Sequence, residues 1–596
     1  MKHFGLLGAL AVTVGIVACG DDGSSVSVDE TSCSSWTLSS DDSRVTEGSS
    51  SSKNGDSGTE AGMTSSSSSS WTLSSSSNRM DSIGSSSLQN DNQSSSSSEN
   101  GDSGTEAGMT SSSSSSWTLS SSDSRVTDTT KITYTLKRFN GPLTNPHKGF
   151  TVPTEAAWTF DPSFEYGPHG SLNNKAWDLV TYGSGYQQWN KLHKGKGIYN
   201  WSELEELLNA LSEHNMGYAL RVFPYSPSFI RDNDTPEENY DWTPKFVYEE
   251  GAKKITARYK DNNANAAVPV WDDSVYLHYA KEFATALAAK YDGDPRIEYI
   301  DVRSFGEWGE WHVSNLDGSK MPSVEIQKDM LKHYASVFKK SLLVLPSDGY
   351  GDVYTYALSL GITKRDDCLI GIPETADSLV RAYEANLPTV AENCGGYAIM
   401  LNYTDVIPGG YLKWTPKRWV DAITTAHLTY YVLDQDFDDC GYRFYNDNKT
   451  LADSMTKVLG YNFTVTKAEL VTITEPVSGD DADPAPTTST LNITVKNTGV
   501  APCFFDLHLV AEFVDSTGKA LAQLGKTVHI PKGTFKDGAT KEFSFSGAAQ
   551  QGIIPPSASI ALSLYESEDA FKSGKNPTVR FDNDGLQKNN KLLLKQ

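Results

Sequence analysis

Short apolar stretches alternate with stretches of helical periodicity from about residue 132 to residue 460. In Trp201–Asn215 the leucines recur at helical spacing, and Ser202 is the expected N-cap. Further helices are predicted over Ser274–Tyr291, Met330–Lys340 and Pro416–Ala426. The predicted strands are Gly149–Val152, Trp177–Tyr182, Gly217–Phe223, Ile297–Ser304, Ser341–Leu345, Cys368–Ile372, Thr389–Ala391 and Leu428–Leu433.

This alternation predicts an α/β fold, a (β/α)8 TIM barrel in residues 131–460. An open doubly wound sheet is the alternative, and it is disfavoured because no Gly-rich phosphate loop follows the first strand. From residue 461 to residue 596 the pattern changes to strands separated by turn signals, with almost no helical periodicity. That pattern predicts an antiparallel, immunoglobulin-like β-sandwich as a second domain.

The first residues resemble an export signal. A short basic start precedes the apolar run Phe4–Ala18, and Ile16–Cys19 resembles a bacterial lipobox. We therefore expect residues 1–19 to be a lipoprotein signal peptide, with Cys19 lipidated, and an ordinary cleaved signal is the alternative. The expected location is the cell envelope, at the outer membrane or the cell surface, with lipid as the membrane anchor.

Residues 20–130 are rich in serine and contain the duplicated segment NGDSGTEAGMTSSSSSSWTLSSS. Such a segment has too little apolar surface to offset the entropy lost on ordering, so we expect a disordered linker. The net charge of the whole chain is −24. This charge argues against nucleic acid as a partner and against a basic face that binds anionic lipid.

Candidate chemistry concentrates where predicted barrel strands end, which is where barrel enzymes place their active sites. The fourth strand begins the segment IEYIDVRSFGEWGEWH (Ile297–His312), in which Asp301 and Arg303 are expected to face the barrel interior. The segment then supplies Glu307 and Glu310, and the seventh strand ends at Glu392. Two carboxyl groups about 5–5.5 Å apart are the arrangement of a retaining glycosidase.

Three segments carry a resemblance to a known family: NPHKGF (Asn145–Phe150), ALRVFP (Ala219–Pro224) and GEWGEWH (Gly306–His312). From about Tyr134 onward the chain resembles exported, largely uncharacterised bacterial proteins with a glycoside-hydrolase-like barrel followed by a β-sandwich. More distantly, the layout is similar to the large retaining-glycosidase superfamily, whose acid/base lies on strand four and whose nucleophile lies on strand seven. That superfamily usually has Asn directly before the acid/base Glu, whereas this chain has Gly309.

The resemblance implies that Glu310 is the acid/base residue and Glu392 the nucleophile. Glu307 is the rival of Glu310. It is an even number of residues from Arg303, so its side chain also points into the barrel if the strand continues unbroken. Glu374, after the predicted sixth strand, is the rival of Glu392.

Five further residues are candidates for substrate binding, each with a structural alternative. Arg221 can orient the nucleophile or form an ion pair inside the barrel. His312 can contact the substrate or be a buried, hydrogen-bonded histidine. Tyr225, Trp308 and Trp311 can form an aromatic platform for a sugar ring or belong to the core.

The cysteines and the metal-like motifs give few indications of function. Cys394 and Cys440 follow the seventh and eighth predicted strands, so we expect a disulfide between them in an exported protein. Cys368 is at the start of its predicted strand and is therefore expected at the opposite end of the barrel. The run Asp434–Asp439 begins like a calcium loop but lacks the glycine at its sixth position. We expect neither a metal ion nor a cofactor.

The predicted function is an exported, membrane-tethered glycoside hydrolase that acts as a monomer on an oligosaccharide or polysaccharide. The first alternative is a surface lipoprotein that binds glycans without cleaving them. The second is an adhesion protein whose barrel is only a scaffold.

Overall fold

The computed structural model describes residues 127–151, 179–370, 375–393, 395–403, 412–433, 442–475, 487–549 and 557–595. The predicted signal peptide with Cys19, nearly all of the serine-rich segment, Glu374, Cys394, the run Asp434–Asp439 and Cys440 lie outside the described residues. Among the described residues, no helix combines the length and the apolar composition needed to cross a membrane.

Eight parallel strands form one sheet whose order follows the chain around a barrel. The first strand pairs with the eighth, and a bridge between Phe150 and Val180 connects the first strand to the start of the second. The predicted (β/α)8 barrel is therefore confirmed. Its strands are Gly149–Thr151, Tyr182–Gln188, Gly217–Phe223, Ile297–Asp301, Leu343–Leu345, Thr363–Asp366, Val390–Ala391 and Tyr430–Val432.

Two predicted strands are displaced. The second strand begins at Tyr182, where the predicted one ends, and its sequence YGSGYQQ has few apolar residues. The sixth strand is Thr363–Asp366 rather than Cys368–Ile372, and all of its residues are buried although its sequence is TKRD. Hydropathy missed this strand because its charged side chains are buried with partners supplied by other parts of the barrel.

Helices follow or separate the barrel strands. Ser274–Tyr291 starts after Asp273, whose side chain accepts hydrogen bonds from the backbone N–H groups of Val275 and Tyr276. Ser202 is the first helical residue rather than the predicted N-cap, and Asn200 accepts from its N–H. The helices are Trp189–Leu192, Ser202–Glu213, Lys245–Glu249, Ser274–Tyr291, Val324–Val337, Gly351–Ser359, Thr375–Glu384, Tyr397–Met400, Pro416–Thr425, Tyr442–Met455 and Glu568–Lys572.

A small antiparallel sheet lies in the long segment between the third and fourth barrel strands and extends past the fourth. It consists of Lys254–Tyr259, Asn265–Pro269 and Leu316–Asp317. The last strand pairs with the first of them. The sheet therefore connects the segment after the third strand to the loop that follows GEWGEWH.

Two antiparallel sheets form the β-sandwich and enclose a separate apolar core. The strand Asp128–Thr133 pairs with Phe463–Thr474, so the described chain begins in the sandwich before it enters the barrel. The first sheet contains Asp128–Thr133, Phe463–Thr474, Thr487–Asn497 and Thr540–Ala549. The second contains Ala520–Gln523, Leu507–Val514, Ser559–Tyr565 and Leu592–Leu594, with Val528–Ile530 paired to Leu507–Val514.

The NPHKGF motif joins the barrel to the sandwich. The side chain of Asn145 exchanges hydrogen bonds with the backbone of Arg580 in the sandwich. His147 contacts Glu298 of the barrel at 2.8 Å and Glu566 of the sandwich at 3.2 Å. The motif runs into the first barrel strand, whose first residue is Gly149, so it lies at the end of the barrel opposite to the strand ends that carry the candidate site.

Lys148 of the same motif is buried, and its ammonium donates to three backbone carbonyls. They belong to Thr456, Leu459 and Tyr461, at 2.7 to 2.9 Å. These carbonyls lie in the segment that follows the helix Tyr442–Met455, so the lysine holds that segment against the start of the first barrel strand. The motif is therefore structural in this fold.

Candidate active site

Side chains in the barrel interior form an aromatic layer below a charged layer. The lower cluster contains Tyr182, Ala219, Tyr299, Val344, Val390 and Tyr430. Because side chains alternate along a strand, Arg221 follows Ala219 on the interior face and Asp301 follows Tyr299. The charged layer therefore lies nearer the carboxyl ends of the strands.

Ion pairs connect this layer across the barrel. Asp301 Oδ2 lies 3.0 Å from Arg303 Nε and 3.0 Å from Arg365 Nη1. Arg365 also pairs through Nη2 with Glu392, and Arg221 Nη1 lies 3.8 Å from Glu392 Oε2. Two guanidinium groups thus orient the Glu392 carboxylate, and the inward direction predicted for Asp301 and Arg303 is confirmed.

The GEWGEWH segment turns sharply because several residues adopt left-handed backbone angles. Trp308 has φ 50° and Trp311 has φ 68°. Gly309 has φ +72°, and a Cβ built there would lie 2.6 Å from the Cβ of Arg303. An asparagine at position 309 is therefore sterically excluded from this conformation, and Arg303 occupies the space.

Glu310 forms an ion pair with the arginine that excludes a side chain at position 309. Arg303 Nη1 lies 2.8 Å from Glu310 Oε1, and His312 Nε2 lies 3.9 Å from Oε2. Burial opposes ionisation of Glu310, but the charge of Arg303 and the proximity of His312 hold its pKa well below the usual range. Burial lowers the pKa of His312, but Glu310 and Glu307 outweigh it and raise the pKa to about 9.

Glu307 is engaged with its own loop. One carboxylate oxygen accepts from the backbone N–H of Asn315 at 2.7 Å, and the other accepts from the Asn315 side chain at 3.1 Å. Burial raises the pKa of Glu307 to about 7. The carboxylate therefore fixes the loop that follows the motif, whereas Glu310 faces Glu392.

Three carboxylates converge at the carboxyl ends of the barrel strands. One oxygen each of Glu310, Asp367 and Glu392 lies within 4.8 Å of the others. They come from the loop after strand four, the end of strand six and the end of strand seven. The structure thus brings the predicted Glu310 and Glu392 together and adds Asp367.

Asp367 was not among the candidate residues. With the sixth strand expected at Cys368–Ile372, Asp367 fell before the strand, at the wrong end of the barrel. Its N–H donates to Ser347 Oγ at 2.8 Å, which fixes its backbone beside the fifth strand. Burial, followed by the negative charges of Glu310 and Asp366, raises the pKa of Asp367 to about 8.

The three converging oxygens are also close enough to share a metal ion. Arg303 and Arg365 already pair with Glu310 and Glu392. A divalent cation at this point would therefore have to compete with two fixed guanidinium groups, so the donor set fits a metal poorly.

Two of the predicted aromatic contacts belong to the core. Trp311 is 2% exposed, and its indole N–H donates to the carbonyl of Val302. Tyr225 is fully buried, and its ring packs against Tyr240 and Trp271. Neither ring face is free to stack on a sugar, so the structure does not support a platform made by these two residues.

Trp308 is the half-buried aromatic residue of the motif. Its indole N–H donates to Ser228 Oγ at 2.8 Å, and its ring lies 5.6 Å from that of His312. Phe229, the neighbour of Ser228, is partly exposed, and its ring centre lies 5.6 Å from that of Trp242. Trp308 thus remains a candidate for ring stacking, beside an aromatic group that the sequence pattern did not single out.

A second aromatic residue lies on the side of Asp367. Tyr350 follows the fifth strand, is 63% exposed, and lies with its ring centre 4.6 Å from the Lys364 ammonium. Burial, followed by the negative charges of Asp348 and Asp367, raises the pKa of its hydroxyl. Large exposed aromatic rings beside carboxylates are typical of carbohydrate subsites.

Cys368 follows the sixth strand, so the prediction that it lies at the opposite end of the barrel is wrong. The displaced strand is the reason. Cys368 is disulfide-bonded. The pairing of Cys394 with Cys440 stays a prediction.

No protein-family model matches the chain, and no curated protein matches it. Among solved structures, the catalytic domain of β-amylase from Paenibacillus polymyxa is 12% identical, with 49% of this chain and 92% of that chain covered and a TM-score of 0.31. A β-galactosidase from Marinomonas ef1 is 11% identical, with 52% and 60% covered and a TM-score of 0.30. Xylanase 10B from Thermotoga maritima is 12% identical, with 48% and 82% covered and a TM-score of 0.27. The fold assignment rests on the strand order of the barrel itself.

Proposed function

We propose that this protein is a retaining glycoside hydrolase that acts on an oligosaccharide or polysaccharide. The observation that carries the proposal is the convergence of carboxylate oxygens from three strand ends within 4.8 Å. Retaining glycosidases hold two carboxyl groups about 5–5.5 Å apart, whereas inverting enzymes leave room for a water molecule at about 6.5–9.5 Å. The spacing here supports direct attack by a carboxylate.

Glu392 is the nucleophile in this proposal. Arg365 and Arg221 both face its carboxylate, so the charged form is stabilised and its orientation is restricted. An ionised, oriented carboxylate is the form that attacks the anomeric carbon and leaves as the glycosyl-enzyme is hydrolysed.

Glu310 acts as the base. It was predicted as the acid/base residue, and its position near Glu392 supports a place in the reaction. Its ion pair with Arg303 keeps the carboxylate unprotonated, so it can accept the proton of the hydrolytic water as that water attacks, and the lowered pKa makes it a weaker base than a free glutamate.

The cellular setting is part of the proposal. The lipobox-like Ile16–Cys19 and the serine-rich segment support an exported protein that is anchored by lipid on Cys19. We further propose that it acts as a monomer on extracellular glycan. Metabolic labelling with a fatty-acid analogue tests the anchor, because the Cys19→Ser variant should lose the label.

A hydrolysis screen tests the reaction. Purified protein is incubated with aryl glycosides and with plant and microbial polysaccharides, and the anomeric product is followed by proton NMR. We expect retention of configuration, and loss of activity by at least about 10³-fold in Glu392→Gln. Glu384→Gln, at an exposed helix end before strand seven, is the matched control and should leave activity unchanged.

One observation favours a second function, which is glycan binding without cleavage. Arg303 pairs with Glu310 and holds its pKa well below the usual range, and such a fixed carboxylate suits hydrogen bonding to sugar hydroxyls as well as the role of a base. Binding of a glycan by the wild type without cleavage, measured by calorimetry, would establish a glycan-binding protein and overturn the hydrolase.

A further inference from the structure

We propose that Asp367 is the proton donor to the leaving group, a catalytic role separate from those of Glu310 and Glu392. The proposal rests on the proposed hydrolase and assigns the one reaction step that the two glutamates leave open. It concerns the carboxyl group at the end of the sixth strand, which lies within 4.8 Å of both glutamate oxygens.

Ion pairing distinguishes the three carboxyl groups. Within the described part of the chain, Glu310 forms a salt bridge with Arg303, Glu392 forms salt bridges with Arg365 and Arg221, and Asp367 forms none. A carboxylate paired with a guanidinium is stabilised in its charged form. Asp367 is therefore the member of the group that most favours keeping its proton.

The charges around Asp367 have the same effect. Burial raises the pKa of Asp367, and carboxylates from three neighbouring elements and from its own strand raise it further. The groups are Glu310 after strand four, Asp348 after strand five, Asp366 on the same strand, and Glu392 after strand seven. The sixth strand also carries two cations: Lys364, which interacts electrostatically with Asp367, and Arg365, which pairs with Asp301 and Glu392. A carboxyl group that is protonated near neutral pH is the form that a general acid needs.

A ligand can gain a further contact at the same place. Arg303 donates through Nη1 to Glu310 and to the carbonyl of Trp308. Its Nη2 is buried and has no hydrogen-bond partner among the described residues. The guanidinium thus retains a donor beside the carboxyl cluster for an oxygen atom that enters the site.

The proposed cycle is balanced in protons. The Asp367 carboxyl group transfers its proton to the glycosidic oxygen as the bond to the anomeric carbon breaks and Glu392 forms the ester. Glu310 then removes a proton from water, whose oxygen attacks the anomeric carbon and releases Glu392. Transfer of that proton from Glu310 to Asp367, over the short distance between them, restores the starting state.

Two substrates with different leaving groups test the donor. A dinitrophenyl glycoside leaves without protonation, whereas an alkyl glycoside or a disaccharide of the same sugar requires it. For Asp367→Asn we expect kcat/KM to fall by about 10²–10⁴-fold on the unactivated substrate and by less than about 10-fold on the activated one. Asp352→Asn, the same change at an exposed position outside the site, is the control and should alter neither.

Glu310→Gln separates the two proton-transfer steps. With the activated substrate its glycosyl-enzyme should accumulate, and azide, which needs no base, should restore turnover. Azide should not restore Asp367→Asn on the unactivated substrate. Circular dichroism and thermal unfolding confirm that each variant is folded.

The possible results separate the two proposals. If wild type cleaves both substrates and the leaving-group dependence appears in Glu310→Gln instead, Glu310 is the donor and the role of Asp367 is overturned while the hydrolase stands. Equal losses on both substrates in Asp367→Asn also overturn the role. If wild type cleaves neither substrate nor any glycan in the screen, both proposals fail.

Discussion

Arg303 donates from Nη1 to Glu310 at 2.8 Å and, with its Cβ, occupies the position that a side chain at residue 309 would need. One arginine therefore has two effects on the candidate site. It excludes an asparagine from position 309, and it stabilises the charge on Glu310. The same arginine thus determines both the backbone conformation at Gly309 and the electrostatic environment of Glu310.

Gly309→Ala should destabilise the protein and impair the site. The left-handed φ and the approach to Arg303 both oppose a Cβ, and we expect a loss of about 1–3 kcal/mol in the free energy of unfolding. Urea denaturation measures it. Gly197→Ala is the control, because Gly197 has φ +62° but no atom within 4 Å of the built Cβ, so it isolates the backbone strain. Equal losses in the two variants would contradict the steric explanation.

Replacement of Arg303 should change the pH dependence of the base step. Without the guanidinium the pKa of Glu310 rises, so a larger fraction is protonated at a given pH. We expect the acidic limb of the pH–rate profile to move to higher pH in Arg303→Gln and to move less in Arg303→Lys, which keeps a charge. The profile is measured on an activated glycoside that makes hydrolysis of the glycosyl-enzyme rate-limiting. An unchanged limb in both variants would exclude Glu310 as the base.

Asp367 should make stability fall as pH rises. Its pKa is raised from 3.8 to about 8 in the folded protein, so folding favours the protonated carboxyl group. The unfolded chain releases this proton near pH 4 and the folded chain retains it to about pH 8, so this contribution to stability decreases across that interval.

Asp367→Asn should remove that decrease, because asparagine stays neutral. Relative to wild type, the variant should gain stability as pH rises from 5 to 8, measured by thermal unfolding. Asp352→Asn should show no such gain, since Asp352 is exposed. A wild-type curve parallel to that of Asp367→Asn would contradict the raised pKa.

His147 should stabilise the contact between barrel and sandwich in a pH-dependent way. Burial lowers its pKa, but Glu298 and Glu566 outweigh burial and raise the pKa well above 6.5. The stabilisation is therefore fully present below about pH 6.5 and is lost as pH rises through the folded-state pKa.

His147→Gln should consequently lose more stability at pH 6 than at pH 10. At pH 6 we expect the free energy of unfolding to fall by about 1–3 kcal/mol. Thermal unfolding at the two pH values tests this. His278→Gln, on the exposed surface of the helix Ser274–Tyr291, is the control and should lose little at either pH. A pH-independent loss in His147→Gln would show that packing rather than charge is responsible.

Much of the architecture follows from local patterns. Alternation of apolar strands and helical segments predicts the barrel, and period-two runs after residue 461 predict the sandwich. Inward parity places Asp301 and Arg303 in the barrel interior, because adjacent side chains of a strand face opposite sides. Glu310 and Glu392 are instead predicted from the resemblance of the strand-end motifs, because parity alone favours Glu307.

The sixth strand could not be predicted in this way. Its sequence TKRD has the composition of an exposed turn, yet the strand is buried because Arg365 pairs with Asp301 of strand four and Glu392 of strand seven. Lys364 donates to backbone carbonyls after the fifth strand. Such compensation depends on residues far away in the chain, so hydropathy does not record it.

The chain by itself determined the barrel-and-sandwich architecture, most of its elements and the barrel end that carries acidic side chains, because periodicity and strand order are local properties. The tertiary structure alone decided how the acids differ. Arg303 stabilises the charged form of Glu310, and Arg365 and Arg221 orient the Glu392 carboxylate. Asp367 lies among carboxylates, which raise its pKa and favour its protonated form. The physical reason is that the protonation of a buried carboxyl group depends on the charges packed around it, and these come from several strands.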